Sequence, residues 1–424
     1  MIPHTLPDSQ TPAKGLHEPF LQRAADAEAD PSSSHALGGF LTMRLVDQFA
    51  HDRLPPQLAA VAYQIRATRD FLRGLHPPTV EGNHLLEIVR VAEGVRDDRK
   101  VRLLWPPLLA FAFWLENQLR LAEALDVLAT GLSLSHGEVG EEEVAAHLQL
   151  GRVLRLSGRF PEAEESYAEA GRLASRIGDA HSALLSRIGH AKVVYYRGNL
   201  PESERLLLWV LKDARRAADA DAEARACHDL ATTHHLMGRL ASAVQLAFEA
   251  FRAYEEQPRR TRALSDVGVF LKELGHYSAA KQALLLALHR DAPPESQART
   301  VVELLDLAAL MQDRISFERW RREITGVYDR LPPDERAEFE IKLGYGLACF
   351  ERRAEGEKHL RRAIALAEEG GLGEQAFRAE ALLRDVQENC GKPWLSAVPA
   401  AEVEPAPELR TTIESLEVLA SEAR

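Results

Sequence analysis

Cysteine is scarce in this chain. Cys227, Cys349 and Cys390 are three in 424 residues, odd in number and far apart. That spacing excludes a disulfide framework and lacks the clustered ligands of a zinc site. It points to a reducing compartment. Aromatic residues are only 6% of the chain, whereas alanine and leucine are abundant, a balance that favours helix. No run of 18 apolar residues occurs, so no membrane-spanning helix is expected. The opening MIPHTLPDSQTPAKG has no apolar stretch of the secretory-signal type. The expectation is a soluble, cytoplasmic protein. With 52 basic and 64 acidic residues the net charge is −12, which disfavours nucleic acid and anionic membranes as partners. Phosphate loops, the G-x-G-x-x-G turn, a serine elbow and H-E-x-x-H are all missing, and Gly391-Lys392-Pro393 fails the first of these. Neither a cofactor nor an enzymatic activity is expected.

What the chain does have is a recurring glycine. Gly158, Gly198, Gly238 and Gly275 stand 40, 40 and 37 residues apart. Seven residues before each lies a small residue (Gly151, Ala191, Ala231, Gly268), and two after it a large apolar one (Phe160, Leu200, Leu240, Tyr277). Small residues return at +5 (Ala163, Ser203, Ala243, Ala280), and +9 is mostly large (Tyr167, Leu207, Ala247, Leu284). A period of this length signals stacked helical hairpins, because one hairpin cannot bury both its faces. The glycine supplies the turn, and the small residues at −7 and +5 lie where the two helices approach.

First helices are expected near 141–157, 181–197, 221–237 and 261–274, and second helices near 160–177, 200–217, 240–256 and 277–290. An earlier hairpin covers 105–132. Degenerate ones cover about 297–328, with Asp313 in the glycine slot, and 334–369, with Gly344 and Leu360 in matching slots; a last helix near 373–389 caps the stack. The expected organisation is a loosely ordered, flexible arm at 1–36 with a short helix near Phe20–Glu28, helical hairpins at 37–100, the solenoid at 101–390, a Pro/Ala/Glu linker at 391–408 and an amphipathic helix at 409–424.

The segment 144–177 carries Leu150, Gly151, Gly158, Phe160, Ala163, Tyr167 and Ala170 on the signature slots of a known motif, and here the chain resembles the tetratricopeptide repeat. Its longer period is similar to the helical sensor regions of maltose-regulator-type transcription activators and of peptide-receptor regulators. The resemblance implies an all-α, right-handed superhelical solenoid of antiparallel hairpins that binds a protein, a peptide or a small ligand.

In that fold the slots −13, −10, −6 and −3 line a concave groove. They hold Ala145, Leu148, Arg152 and Arg155; Leu185, Ile188, Lys192 and Tyr195; Arg225, His228, Thr232 and His235; Arg262, Ser265, Val269 and Lys272. Six of sixteen are Lys or Arg and none is acidic, where composition alone gives about two of each. The groove, with Tyr195 and Tyr196 as an aromatic surface, is therefore expected to be basic. It would hold an acidic protein or peptide. The −10 and −6 pairs Leu148/Arg152 and Ile188/Lys192 depart from the Lys/Asn pattern of the family's carboxylate clamp. A ligand-sensing regulator is the alternative, and direct nucleic-acid binding draws on the basic groove alone. Cys227, His228, His234 and His235 invite a metal reading, but His228 and His235 are two turns apart, and Cys227 and His234 fall on core slots. The C-terminal stripe Leu409, Ile413, Leu416 and Leu419 is offered to a groove of its own chain, to a second copy as a homo-oligomer contact, or to a partner, or else caps the end.

Overall fold

The computed structural model describes residues 17–26, 31–49, 58–76, 78–95, 98–135, 140–288, 297–388 and 403–422. Among them the regular structure is helical, without a strand. The chain divides into two compact units, Met1–Asn199 and Leu200–Arg424.

The first unit holds α1 (Glu18–Asp26), α2 (Pro31–Asp47), α3 (Leu58–Arg73), α4 (Val80–Gly94), α5 (Trp105–Asn117), α6 (Leu121–Leu132), α7 (Glu141–Leu156), α8 (Phe160–Ile177) and α9 (Ala180–Tyr196). In the second unit lie α10 (Leu200–Ala217), α11 (Ala220–Leu236), α12 (Leu240–Ala253), α13 (Gln257–Glu273), α14 (Tyr277–Ala287), α15 (Ala298–Leu310), α16 (Arg314–Thr325), α17 (Pro333–Cys349), α18 (Arg353–Glu369), α19 (Gly373–Glu388) and α20 (Pro407–Glu422). Neighbouring helices pack as hairpins, and first helices also pack on one another: α5 on α7 and α7 on α9 in one unit, α13 on α15, α15 on α17 and α17 on α19 in the other. Each unit is thus a stack of hairpins with the first helices in one layer, the tetratricopeptide-like arrangement that the period implies.

Each hairpin from α5/α6 to α17/α18 turns on one left-handed residue. Gly158 has φ +71° and Gly275 φ +84°, and the residue after each closes the turn five positions back: Arg159 N–H to Leu154 O and His276 N–H to Leu271 O, both 2.9 Å. Side-chain-bearing residues take the same place elsewhere, namely Leu119 (φ 58°), Gln312 (φ 55°) and Glu351 (φ 64°). The degenerate hairpin α15/α16 therefore runs one residue out of the expected register. Gln312 occupies the left-handed slot, and Asp313 caps α16 by accepting from Ser316 N–H at 3.0 Å. A carboxylate there satisfies an otherwise open helix N-terminus.

The small −7 residues are explained by what covers them. A Cβ on Gly151 would lie 2.9 Å from the Tyr167 ring, one on Gly268 2.6 Å from Leu284, and one on Gly344 2.8 Å from Leu360. In each case the large +9 side chain lies over the −7 backbone. The +5 residue adds to the squeeze, since Gly344 would also meet the Gly356 carbonyl at 2.9 Å. Tyr167 is pressed from a second side by Gly189 of the next hairpin, where a Cβ would fall inside van der Waals contact.

The amino-terminal region departs from expectation. Residues 1–16 and 27–30 of the expected arm lie outside the described residues; the short helix expected near 20–28 is α1, at 18–26, but it is docked rather than loose, since Phe20 is fully buried and stacks on Phe111 at 6.4 Å. One apolar core runs from Phe20 to Val153, across the boundary expected at 100. The arm is held by charge as well. His17 Nδ1 lies 2.7 Å from Asp126 Oδ2 and its Nε2 3.0 Å from Asp47 Oδ2. Arg23 pairs with Glu81 at 2.5 Å and with Glu123 at 3.1 Å. Composition flagged Pro, Ser and Asp in this stretch, but an arm ordered by buried ion pairs leaves no periodic signal.

The C-terminal helix begins at Pro407, inside the stretch expected as linker; residues 391–402 of that stretch lie outside the described residues. Its stripe is seated on α12 and α14, with Leu409 and Leu416 buried. Of the surfaces to which the stripe was offered, the structure shows it on a groove of its own chain.

Two outcomes follow. Gly189→Ala should lower stability by about 1–3 kcal/mol in denaturant unfolding through overpacking against Tyr167. Tyr167→Leu in the same chain should recover part of the loss. Burial lowers the pKa of His17, but the bonds to Asp126 and Asp47 outweigh it and raise it from 6.5 to about 9. A raised folded-state pKa stabilises fully below 6.5, and the benefit is lost as pH climbs to about 9. Hydrogen exchange of α1 and α2 should accelerate across that window by an amount equivalent to about 3 kcal/mol, and His17→Leu should abolish the pH dependence.

Candidate functional site

The expected lining residues do fall on the layer of first helices, but the two units treat them differently. In the first unit α5, α7 and α9 bring together Phe113, Glu116, Arg152, Arg155, Lys192, Tyr195 and Tyr196. Arg152 pairs with Glu116, and its guanidinium lies over the Phe113 ring at 5.9 Å. Arg155, itself buried, lies over Tyr196 at 4.8 Å, and Tyr196 meets Tyr195 edge-on at 5.2 Å. Phe113 is 50% and Tyr196 52% exposed, and the Arg152 side chain is also 50% exposed. Burial raises the Glu116 carboxyl pKa, and Arg152 opposes that rise. The arrangement is two guanidinium–aromatic pairs on one layer of first helices, with Phe113, Arg152 and Tyr196 open to solvent and Arg155 buried beneath Tyr196.

In the second unit the basic slots other than Arg262, together with the histidine slots, are paired within the chain. Arg225 pairs with Asp221 at 2.7 Å, and Asp221 also takes Arg259 of the next first helix at 2.7 Å. His228 Nε2 lies 2.8 Å from Asp266, with Tyr254 Oη 3.3 Å from its Nδ1. His235 stacks on Phe270 at 4.7 Å and bonds Glu273 at 2.8 Å. Thr232 Oγ1 donates to its own helix, to Asp229 O at 2.9 Å. Lys272 is buried between Glu303, at 2.7 Å, and Asp306, and Lys342 shares Glu303. Desolvation opposes the Lys272 charge, yet the two carboxylates hold its pKa above the usual range. Arg262 is the exposed member of the set, with no ion pair among the described residues.

These findings correct the expected groove. His228 and Lys272 are buried and do not present themselves to a ligand; a charge taken out of water must be paired where it sits. The acids come from slots that the four-slot stripe left out. Position −9 carries Asp229, Asp266 and Glu303 in three consecutive hairpins. With Gln312 in the left-handed slot, Asp306 falls on −6 of the degenerate hairpin, which lies outside the four hairpins from which the stripe was read. Phe113 and Glu116 were legible by the same ruler, being −6 and −3 from Leu119. Of the suggested metal set, His228, His234 and His235 bond different carboxylates: Asp266, Glu204 (3.0 Å) and Glu273. Cys227 is buried, which pushes its thiol pKa up to about 12.

No family model matches the chain, and no curated protein matches it in sequence. Solved structures do resemble it. The quorum sensor NprR of B. thuringiensis, in its apo form, superposes with a TM-score of 0.52 at 14% identity, over 84% of this chain and 99% of that one. The Rap conjugation gene regulator of plasmid pLS20, in complex with the Phr* peptide, gives 0.49 at 13%, over 85% and 98%. Apo RapI gives 0.48 at 11%, over 66% and 99%. At these identities the likeness to NprR is one of fold, and it places the chain among tetratricopeptide-like helical repeat structures.

The bond to Glu273 raises the His235 pKa above its ordinary 6.5, against a smaller loss from burial. Its pair therefore stabilises fully below 6.5 and fades as pH rises through the higher folded value. Proton NMR should find the His235 titration displaced upward, and Glu273→Gln should return it to or below the ordinary value.

Proposed function

We propose that the protein is a peptide-binding helical-repeat regulator whose contact surface is the guanidinium–aromatic strip of the first unit. The observation that carries this reading is the exposure of Phe113, Arg152 and Tyr196 together on one layer of first helices. Rigid aromatic faces supply contact area at little entropic cost, and arginine adds planar hydrogen bonding to carboxylates. The occupant favoured by this chemistry is an acidic segment, extended enough to lie across α5, α7 and α9. Long layers of first helices suit such a segment better than they suit a small substrate. The fold shared with a quorum sensor supports a receptor over a catalyst.

A sensing role in which the ligand shifts the spacing of hairpins is the second reading. What favours it is the ladder of charged pairs joining successive first helices in the second unit, which ties the placement of each hairpin to that of the next.

The test is charge reversal. Arg152→Glu with Lys192→Glu should weaken binding of an acidic peptide library at least 10-fold, with Glu116→Gln added to relieve the new repulsion. Unchanged affinity in a folded variant would remove the strip from the function. Peptide-dependent thermal stabilisation should accompany binding in the wild-type chain.

A further inference from the structure

Residues 403–422 are seated on their own chain in a way that a simple end-cap does not need. Val403 is held through its backbone on both sides: its N–H donates to Gly275 O at 3.3 Å, and its C=O accepts from His276 Nδ1–H at 3.0 Å. His276 is buried for this purpose. The Val403 side chain fills the space over Gly275, where a Cβ would come within 2.8 Å of Val403 Cγ2; the matching Gly158, Gly198 and Gly238 have open space there. Gln245 then donates to Glu408 O at 2.8 Å, at the start of α20. Beyond it, Leu409, Thr412 and Leu416 bury one stripe of α20 against α12 and α14. The seat thus straddles two consecutive hairpins and reads its occupant twice, by main chain at one extended residue and by an apolar stripe over two turns.

The occupant is a weakly self-sufficient element. A 16-residue helix alone is marginal in water, so α20 owes its order to the seat, and undocking and unfolding are one event. Fourteen residues, 389–402, tether it to α19; fully extended they reach about 46 Å. A second copy of the chain offers an identical seat, and nothing new has to be complementary for its segment to fit. We propose that the face formed by α12, α14 and the Gly275 turn is a docking site for an amphipathic helix led by one extended residue. Residues 403–422 occupy it as a tethered ligand, and the same residues of a second copy are its occupant in trans. The proposal is independent of what the first unit binds.

The experiment uses the full chain with a protease site introduced between 391 and 400, folded first and cut afterwards, and a fluorescent synthetic peptide of residues 403–422 as probe. A tether of this length gives its segment an effective concentration near the millimolar range. The cut chain should therefore bind the probe on the order of 100-fold more tightly than the uncut chain. His276→Ala in the cut chain should weaken the probe, and a probe with Leu409→Asp and Leu416→Asp should not bind. Donor- and acceptor-labelled intact chains mixed at high concentration should develop energy transfer on the timescale of segment exchange. A cut chain of unchanged circular dichroism that ignores the probe overturns the docking site. Probe binding without energy transfer between intact copies overturns the second copy as occupant and leaves the seat to another amphipathic helix.

Discussion

The hairpins from α5 to α18 rest on one left-handed residue each and on the close approach that it sets up. Reversing the chain in three residues brings the −7 backbone of the first helix against the +9 side chain of the second, leaving no room for a side chain at Gly151, Gly268 or Gly344. Glycine meets the turn without strain, yet Leu119, Gln312 and Glu351 meet it too, closed by the same five-residue hydrogen bond. The turn is imposed by the packing of the helices on either side, and a non-glycine residue there costs on the order of 1 kcal/mol that the hairpin interface repays.

Hairpins joined this way need something to fix each to the next. In the first unit aromatic and aliphatic packing serves: Tyr167 lies between Gly151 and Gly189. In the second, a chain of ion pairs runs across the first helices, from Arg225–Asp221–Arg259 through His228–Asp266 to Lys272–Glu303–Lys342. The buried Lys272–Glu303–Lys342 set adds little net stability over apolar packing, but breaking one side is costly; the half-exposed Arg225–Asp221–Arg259 set contributes less either way. They specify which helix faces which. The same requirement removes these cations from a ligand's reach and leaves the first unit with the open strip.

Much of this was legible beforehand. The glycine ruler located α7 to α14 to within a few residues, and the stripe Leu409–Leu419 announced α20. The groove was legible only in part. Counting positive slots found Arg152 and Arg155 but missed the −9 acids, because a charge's meaning depends on a neighbour about 38 residues away in sequence and a hydrogen bond away in space. The docking of the arm through His17 and Phe20 was missed for a related reason, since its short helix is held by partners such as Asp126 and Phe111 rather than by its own periodicity.

Sequence by itself determined the repeat, the turn positions, the hairpins and the side of each helix that is apolar, because these follow from intervals shorter than one hairpin. Tertiary structure alone decided which charges remain open and which are spent, where the two units divide, and where α20 comes to rest. Those outcomes depend on distances between residues far apart in the chain. There the energy of pairing a charge or burying a stripe is set by whichever partner the stack happens to bring within reach.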